Sequence, residues 1–518
     1  MKRSLTAILL LVSGMLHAEV YLTTDKSCYV AGDNIWCSAF STTGDATAYV
    51  ELHSTDGMAQ SGKIHLSGGR GAGNIHIPLS TPTGNYKLIA YTATDRETAG
   101  FDYYYLSPTV SIFNTLVTAR VKDGVKIVGD YSSSRGFETL QNGLALETGN
   151  GITLTNTSSK SVSVSLSAYR DDGIAHPEDR LIAQWKPAPR TTDAKEPDGE
   201  IIRARVVGRD AGKLISNGFV RALISFPGLK TDVYTSFVKP DGSLTFSTGN
   251  IFGQRDVVCM LDDIDTDTQC HIEVESPLAL PDCPETAPIN LNRVIAPALE
   301  GRTASMMEEK KASVDTLFET LPIKREHFLL DRECTSYILD DYDRFPTMEE
   351  EFVEIIKCVR VRKDRTKGCR ITVLLEDYVR WDIPVWGESL MMIDGVPVFD
   401  HNQIMTYDPA AVKVIEVYPY TFSVGETSYG GVINFVTFKG NMPSISFDDN
   451  VRIYDFKGAS YPMNYNGCET LLWRPLLKLA PGEKISFDCP DSEGRVNIVA
   501  EGLDADFNPV YARKSFQE

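Results

Sequence analysis

The chain has 518 residues, ten of them Cys, and a formal net charge of −19. That length is too great for one hydrophobic core, so several domains are expected. The acidic balance argues against a nucleic-acid partner and against direct binding to an anionic membrane surface.

Residues 1–18 read as a secretory signal: Lys2 and Arg3, then an apolar run over residues 5–16, then the small residue Ala18. The run is too short for a stable membrane-spanning helix. The mature chain is therefore expected to be exported, to the periplasm, the outer-membrane periphery or the cell surface. It would meet a membrane only through a partner.

Residues 20–290 are dominated by short alternating strands, such as 152–155, 162–168, 201–206 and 219–224, punctuated by Gly, Asn, Asp and Ser. This spacing predicts stacked β-sandwich modules. Pro277, Pro281, Pro284, Pro288 and Pro297 predict a linker over 276–300. A helix is predicted over 303–321, with Met306, Met307, Val314, Leu317, Phe318 and Leu321 as a loose apolar stripe. Residues 326–440 mix helix and strand signals, and the tail returns to β pattern.

An exported compartment permits disulfides. Cys28 and Cys37, Cys259 and Cys270, and Cys358 and Cys369 each flank a polar turn symmetrically, as a cross-strand bridge in a hairpin would. These three pairs are the predicted disulfides. Among Cys283, Cys334, Cys468 and Cys489, the pairing suggested is Cys468 with Cys489. No clustered Cys/His spacing supports a zinc site. Asp263, Asp265 and Asp267 with Glu273 form a candidate calcium loop, but it lacks the glycine of the standard loop. His53, His65 and His76 fall in the first sandwich without ligand spacing. No metal and no cofactor is expected.

Three resemblances follow from specific runs. Val20-Tyr21-Leu22-Thr23-Thr24-Asp25-Lys26, then Tyr29 and Ala31-Gly32-Asp33, then Pro82-Thr83-Gly84-Asn85-Tyr86-Lys87-Leu88, resemble a macroglobulin-type β-sandwich, with Ala31 where that family carries Pro. Asp210-Ala211-Gly212, Asn217-Gly218 and Lys239-Pro240-Asp241-Gly242-Ser243-Leu244-Thr245-Phe246 are similar to the transthyretin-like carboxypeptidase-regulatory module. Leu390-Met391-Met392-Ile393-Asp394-Gly395-Val396-Pro397, then Asp408-Pro409, then Tyr429-Gly430-Gly431-Val432-Ile433-Asn434, resemble the plug of TonB-dependent outer-membrane receptors. Here Asp394-Gly395 predicts a two-residue hairpin turn. Asp408 and Pro409 predict a capped helical turn, and Thr347 caps the helix that opens the module. A receptor barrel of about 22 strands needs several hundred residues. Only residues 441–518 follow Gly440, so the plug-like segment is expected to stand without a barrel.

The expected order is a signal at 1–18, a macroglobulin-like sandwich at 19–112, and a second sandwich at 113–197. A transthyretin-like module follows at 198–276, a linker and helix at 277–325, a plug-like α+β domain at 326–442, and a C-terminal sandwich at 443–518. The fold class is multidomain and mainly β. In that order the chain resembles Bacteroidota-type envelope proteins that join macroglobulin-like modules to a stand-alone plug.

No Gly-x-Ser-x-Gly elbow, His-Glu-x-x-His or P-loop is present. Asn466-Gly467-Cys468-Glu469-Thr470 lacks the Gln of a thioester, against a protease trap. The resemblance implies a non-catalytic accessory or scaffold protein that engages an outer-membrane protein or transporter complex. The alternative is an exported glycan- or peptide-binding protein. Tyr420 and Phe422, in a segment taken as an aromatic loop over 419–429, are the candidate docking residues.

Overall fold

A computed structural model describes residues 20–98, 107–115, 126–127, 137–171, 182–185, 195–262, 268–280, 286, 289–291, 296–319, 333–364, 368–375, 389–424, 427–488 and 494–517, apart from isolated positions within these ranges. The predicted signal segment, 1–18, lies outside them. The protein is multidomain and mainly β, with many small sheets and few helices. It divides into two compact units. The first holds the described residues of 1–199, 278–318 and 459–518; the second holds those of 200–277 and 319–458.

In the first unit, strands Val20–Thr24, Asn34–Ser41 and Arg70–His76 form one sheet. A five-stranded sheet faces it, ordered Cys28–Val30, Thr109–Phe113, Gly84–Thr92, Ala46–Ser54, Gly57–Leu66. Alternate residues fill the space between: Leu22, Ile35 and Ile75 from one sheet meet Val50, Leu52, Tyr86 and Leu88 from the other. Gly32 has φ 97° at the predicted turn, where its N–H reaches the Ile77 carbonyl.

The second sandwich of this unit differs from the expected order. Strand Val162–Asp171 lies between Thr470–Leu479 and Arg495–Asp504, and Pro509–Gln517 and Leu140–Asn142 complete the sheet. The facing sheet combines Leu144–Gly149 and Gly151–Asn156 with Lys484–Phe487. The sandwiches expected at 113–197 and 443–518 are thus one body with one core. Alternation marks a strand and its buried face but carries no information about its partner.

Helix Ala296–Glu319 starts seven residues before the predicted 303, because Pro297 sits in the first turn, where a missing N–H is tolerated. The predicted linker is partly docked as well: Ile289 and Leu299 pack with Cys28 and Phe113.

In the second unit, Ser243–Ser247, Ile201–Gly208 and Cys270–Val274 form a sheet. It packs on another, ordered Asp232–Phe237, Arg221–Phe226, Gln254–Asp262, Arg452–Lys457. Strand 452–457, expected in the C-terminal sandwich, instead completes the module at 200–277. The remaining sheet is ordered Thr335–Ile338, Val412–Val424, Thr427–Thr437, Leu390–Ile393, Val396–Pro397. Helix Met348–Glu354 has Thr347 as its cap, accepting from Glu350 N, and Phe352 from this helix packs with Phe435.

Both faces of this last sheet are covered. Met391 and Ile393 enter the core beneath the helices. Leu390 and Met392 pack with Leu223, Val233, Val258 and Met260 of the neighbouring sheet. Two-sided burial explains the unbroken apolar run at 390–393. The segment 326–442, expected to be independent, shares this interface with the module at 200–277.

Asp394 and Gly395 form the predicted turn, with φ 50° and 88° and Ile393 opposite Val396. The Asp394 carboxylate accepts from Thr437 N at 2.8 Å, Thr437 Oγ1 at 2.6 Å and Met442 N at 3.0 Å. A Cβ on Gly395 would stand 2.3 Å from Thr231 Oγ1. Gly395→Val combines that clash with a left-handed φ, and is expected to cost at least about 1 kcal/mol. Thermal or urea melting checks this; an unchanged midpoint would refute the turn.

Candidate functional site

Residues 419–424 and 427–429 are strand, not loop. Strands Val412–Val424 and Thr427–Thr437 continue their ladder to Val424 opposite Thr427, so the aromatics stand on the arms of a long hairpin. Pro419 falls where the register slips between Tyr418 and Thr421. It has no N–H to give the ladder, which is why a bulge sits there. Phe422 lies opposite Tyr429 and stacks on it, with ring centroids 6.4 Å apart. Tyr429 is only 4% exposed and belongs to the core shared with the 200–277 module. The Arg221 guanidinium lies 5.8 Å from the centre of its ring. Tyr420 and Phe422 are half-buried. The face therefore presents aromatic edges held from behind.

Gly430 and Gly431 have separate tasks. The Gly430 carbonyl accepts from Ser389 Oγ at 2.5 Å. Gly431 has φ 87°, and a Cβ there would stand 2.6 Å from Val373. Asp408 caps its turn through Ala410 N, with Pro409 at the first position.

The three predicted disulfides do not fit the observed pairing, and all six of their cysteines are free. Cys28 and Cys37 lie in different sheets of the first sandwich: Cys28 is level with Ser111, and Cys37 with Thr24 and Gly73. Cys259 and Cys270 enter facing sheets, paired with Ile224 and Gly208. Strands Val359–Asp364 and Gly368–Val373 do form a hairpin, but Cys369 opposes Lys363, while the Leu374 N–H meets the Cys358 carbonyl. Symmetry in sequence located a turn, and the register placed its centre a few residues away. Burial pushes the Cys37 and Cys259 thiols up to about 12, so both stay protonated and inert at neutral pH. Cys283, Cys489 and the candidate calcium loop 263–267 lie outside the described residues.

Two buried acids in the first unit escaped the sequence reading. Asp25 has no exposed surface. Its Oδ1 accepts from Tyr29 OH at 2.7 Å and Trp36 N at 3.1 Å, and its Oδ2 from Thr470 Oγ1 at 2.5 Å. Ser167 Oγ donates to its carbonyl. Burial raises its pKa to about 6 against the attraction of Lys26. Lys26 in turn pairs with Asp33 at 2.9 Å.

Glu51 is likewise buried. It meets His53 Nε2 at 2.5 Å and accepts from Tyr91 OH and, at 3.0 Å, from Ala279 N. Burial works against its charge, but the hydrogen bonds from His53 and Tyr91 outweigh it and hold the carboxyl below its usual range. His53 is thus tied to Glu51, and His76 Nδ1 lies 3.2 Å from Asn34 Oδ1.

The chain has a distant structural resemblance to the β-sandwich modules of bacterial alpha-2-macroglobulin. The Escherichia coli protein in its native conformation matches at 8% identity and a TM-score of 0.22, over 96% of this chain and 39% of that one. The Salmonella protein reacted with methylamine gives the same figures. A tetra-tandem repeat from a large adhesion protein matches at 9% identity, over 96% and 97% of the two chains, with a TM-score of 0.12. The chain thus spans about two fifths of the length of the macroglobulins it matches. No protein-family model matches it, and no curated protein does.

Two outcomes follow. Peptide mapping without reductant should recover Cys358 and Cys369 as unlinked peptides; a 358–369 bridge would require a different register. For Asp25, a folded pKa near 6 against an unfolded value near 3.8 means that its contribution is complete below pH 3.8 and is lost as pH rises through about 6. Asp25→Asn does not ionise: its Oδ1 can keep the Tyr29 and Trp36 donors, while its Nδ2 donates to Thr470 Oγ1 where the carboxylate accepted from it. The variant should gain stability relative to the parent by up to about 3 kcal/mol between pH 4 and pH 8. Denaturant melts across that range test this, and a pH-independent difference would refute it.

Proposed function

We propose that the chain is a non-catalytic accessory or scaffold protein at the periphery of a bacterial outer membrane. Its partner is an outer-membrane protein or transporter complex. One observation carries this reading: three buried carboxylates join chain segments far apart in sequence. Asp25 bonds Thr470, Glu51 bonds Ala279, and Asp394 bonds Thr437 and Met442. Acids committed in this way build a rigid body and leave no poised acid–base pair among themselves.

The motif order at 390–437 supports a plug-like origin for the second unit's mixed sheet. The sheet's apolar face is covered by the 200–277 module, so that segment can serve as a fixed building block. The hairpin edge carrying Tyr420 and Phe422 supplies an aromatic docking face on a stiff support.

Crosslinking in native envelopes followed by affinity recovery tests the proposal. The full chain should recover a barrel protein, and Tyr420→Ala should reduce that recovery while leaving the melting temperature within about 2 °C, as expected for a loss under roughly 0.5 kcal/mol. Recovery of no envelope protein would overturn the reading. Equal recovery by the variant would remove the hairpin as the docking face.

A further inference from the structure

The strand Val162–Asp171 alternates Val162, Val164, Leu166 and Ala168 on its core face with Ser163, Ser165 and Ser167 on the other. The serine face turns toward the first sandwich: Ser167 bonds the Asp25 carbonyl, and Ser38 Oγ donates to the Pro475 carbonyl of the adjacent strand. Ser163 breaks this pattern. It is 5% exposed, and its Oγ has no hydrogen-bond partner. Native proteins rarely keep a buried hydroxyl unpaired.

Ser163 lines a cleft of about 520 Å³ within the first unit, together with Ser67, Arg70, Ser161, Leu476 and Lys478. That volume suits a small molecule. Ser163 and Lys478 are directly opposed across the strand pair, so both project to the same side. Arg70 is held in place by the Gly68 carbonyl at 3.0 Å, the Asp504 carbonyl at 3.3 Å and the Phe507 ring at 5.3 Å. Among the described residues, no acidic residue lines the cleft. Of the nearby acids, Asp506 pairs with Lys160, and Asp504 accepts from the Asp506 and Asn508 backbone N–H groups. Two cations, three hydroxyls and an aliphatic wall therefore meet in one concave site of an otherwise strongly acidic chain.

We propose that this cleft binds a small hydroxylated carboxylate of the sugar-acid class. The carboxylate lies against the Lys478 ammonium and the Arg70 guanidinium. A ring hydroxyl completes Ser163, and the C–H face of the ring rests on Leu476. Charge-assisted contacts set the affinity, and the serine hydroxyls separate a sugar acid from a simple carboxylate. The site lies in the first unit and stands or falls independently of the scaffold reading.

Calorimetric titration of the full chain with glucuronate, glucose and acetate at constant ionic strength tests this. Glucuronate should bind saturably, and glucose and acetate at least about tenfold more weakly. Lys478→Gln should weaken glucuronate at least about tenfold, and Ser163→Ala about threefold or more. Lys478 is exposed, so its variant keeps the test valid if Ser163→Ala lowers the melting temperature. A glucuronate-terminated disaccharide titrated in parallel separates the two sources: tighter binding of the disaccharide points to a glycan end, tighter binding of the monosaccharide to a free acid, and either supports the site. Absence of saturable glucuronate binding, or binding unchanged in both variants, overturns the proposal. Acetate or inorganic phosphate binding as tightly as glucuronate overturns the sugar-acid assignment.

Discussion

The first unit depends on the buried carboxylate of Asp25. It sits just after the first strand and receives the Tyr29 hydroxyl, the Trp36 amide and the Thr470 hydroxyl, while its carbonyl receives Ser167. Those donors come from the first sandwich and from two adjacent strands of the second. A carboxylate with several well-placed donors tolerates burial that an unpaired one would not. Burial still dominates, since its pKa lies near 6 rather than below 4. The joint between the two sandwiches is therefore polar and tuned by pH, unlike their apolar interiors.

Helix Ala296–Glu319 reinforces the same joint. Arg302 donates to the Cys28 carbonyl at 2.8 Å and lies 3.5 Å from Glu469, while Glu309 accepts from the Tyr465 hydroxyl and the Cys468 amide. Tyr465 in turn stacks on Trp36 at 5.0 Å. Apart from the Arg302–Cys28 bond, which ties the helix to the first sandwich, these contacts cross from the first sandwich or the helix to the stretch 465–470. The C-terminal residues return to the first unit through specific polar contacts as well as through sheet pairing. Ser163 and its cleft lie at one end of this polar face, where the sandwiches no longer close on each other.

The second unit solves its packing differently. Its mixed sheet is largely apolar on both faces, with helices on one side and the 200–277 module on the other. Tyr418 and Tyr429 belong to the latter interface, so the hairpin at 412–437 is packed against it up to its aromatic edge. Among the described residues, edge strands such as Thr335–Ile338 have no partner within their sheet on the outer side.

Local chemistry was legible in the sequence because it is encoded within a few residues. Asp394-Gly395 allows a positive φ at both positions, Thr347 and Asp408 offer oxygens to nearby amides, and the alternation at 162–168 assigns one face to a core. What the sequence could not supply was partnership between distant segments. Strand pairing decided that 140–171 and 470–517 share a sandwich, and that 452–457 belongs with 200–277. It also decided that Cys358 and Cys369 stand out of register, and that Phe422 leans on Tyr429 instead of hanging from a loop. Asp25 looked like one member of a turn motif, and Ser163 like one serine among several. Their importance arises only where the tertiary structure sets a donor from residue 470 beside the first and leaves the second without one, because alternation fixes which way a side chain points but not what it meets.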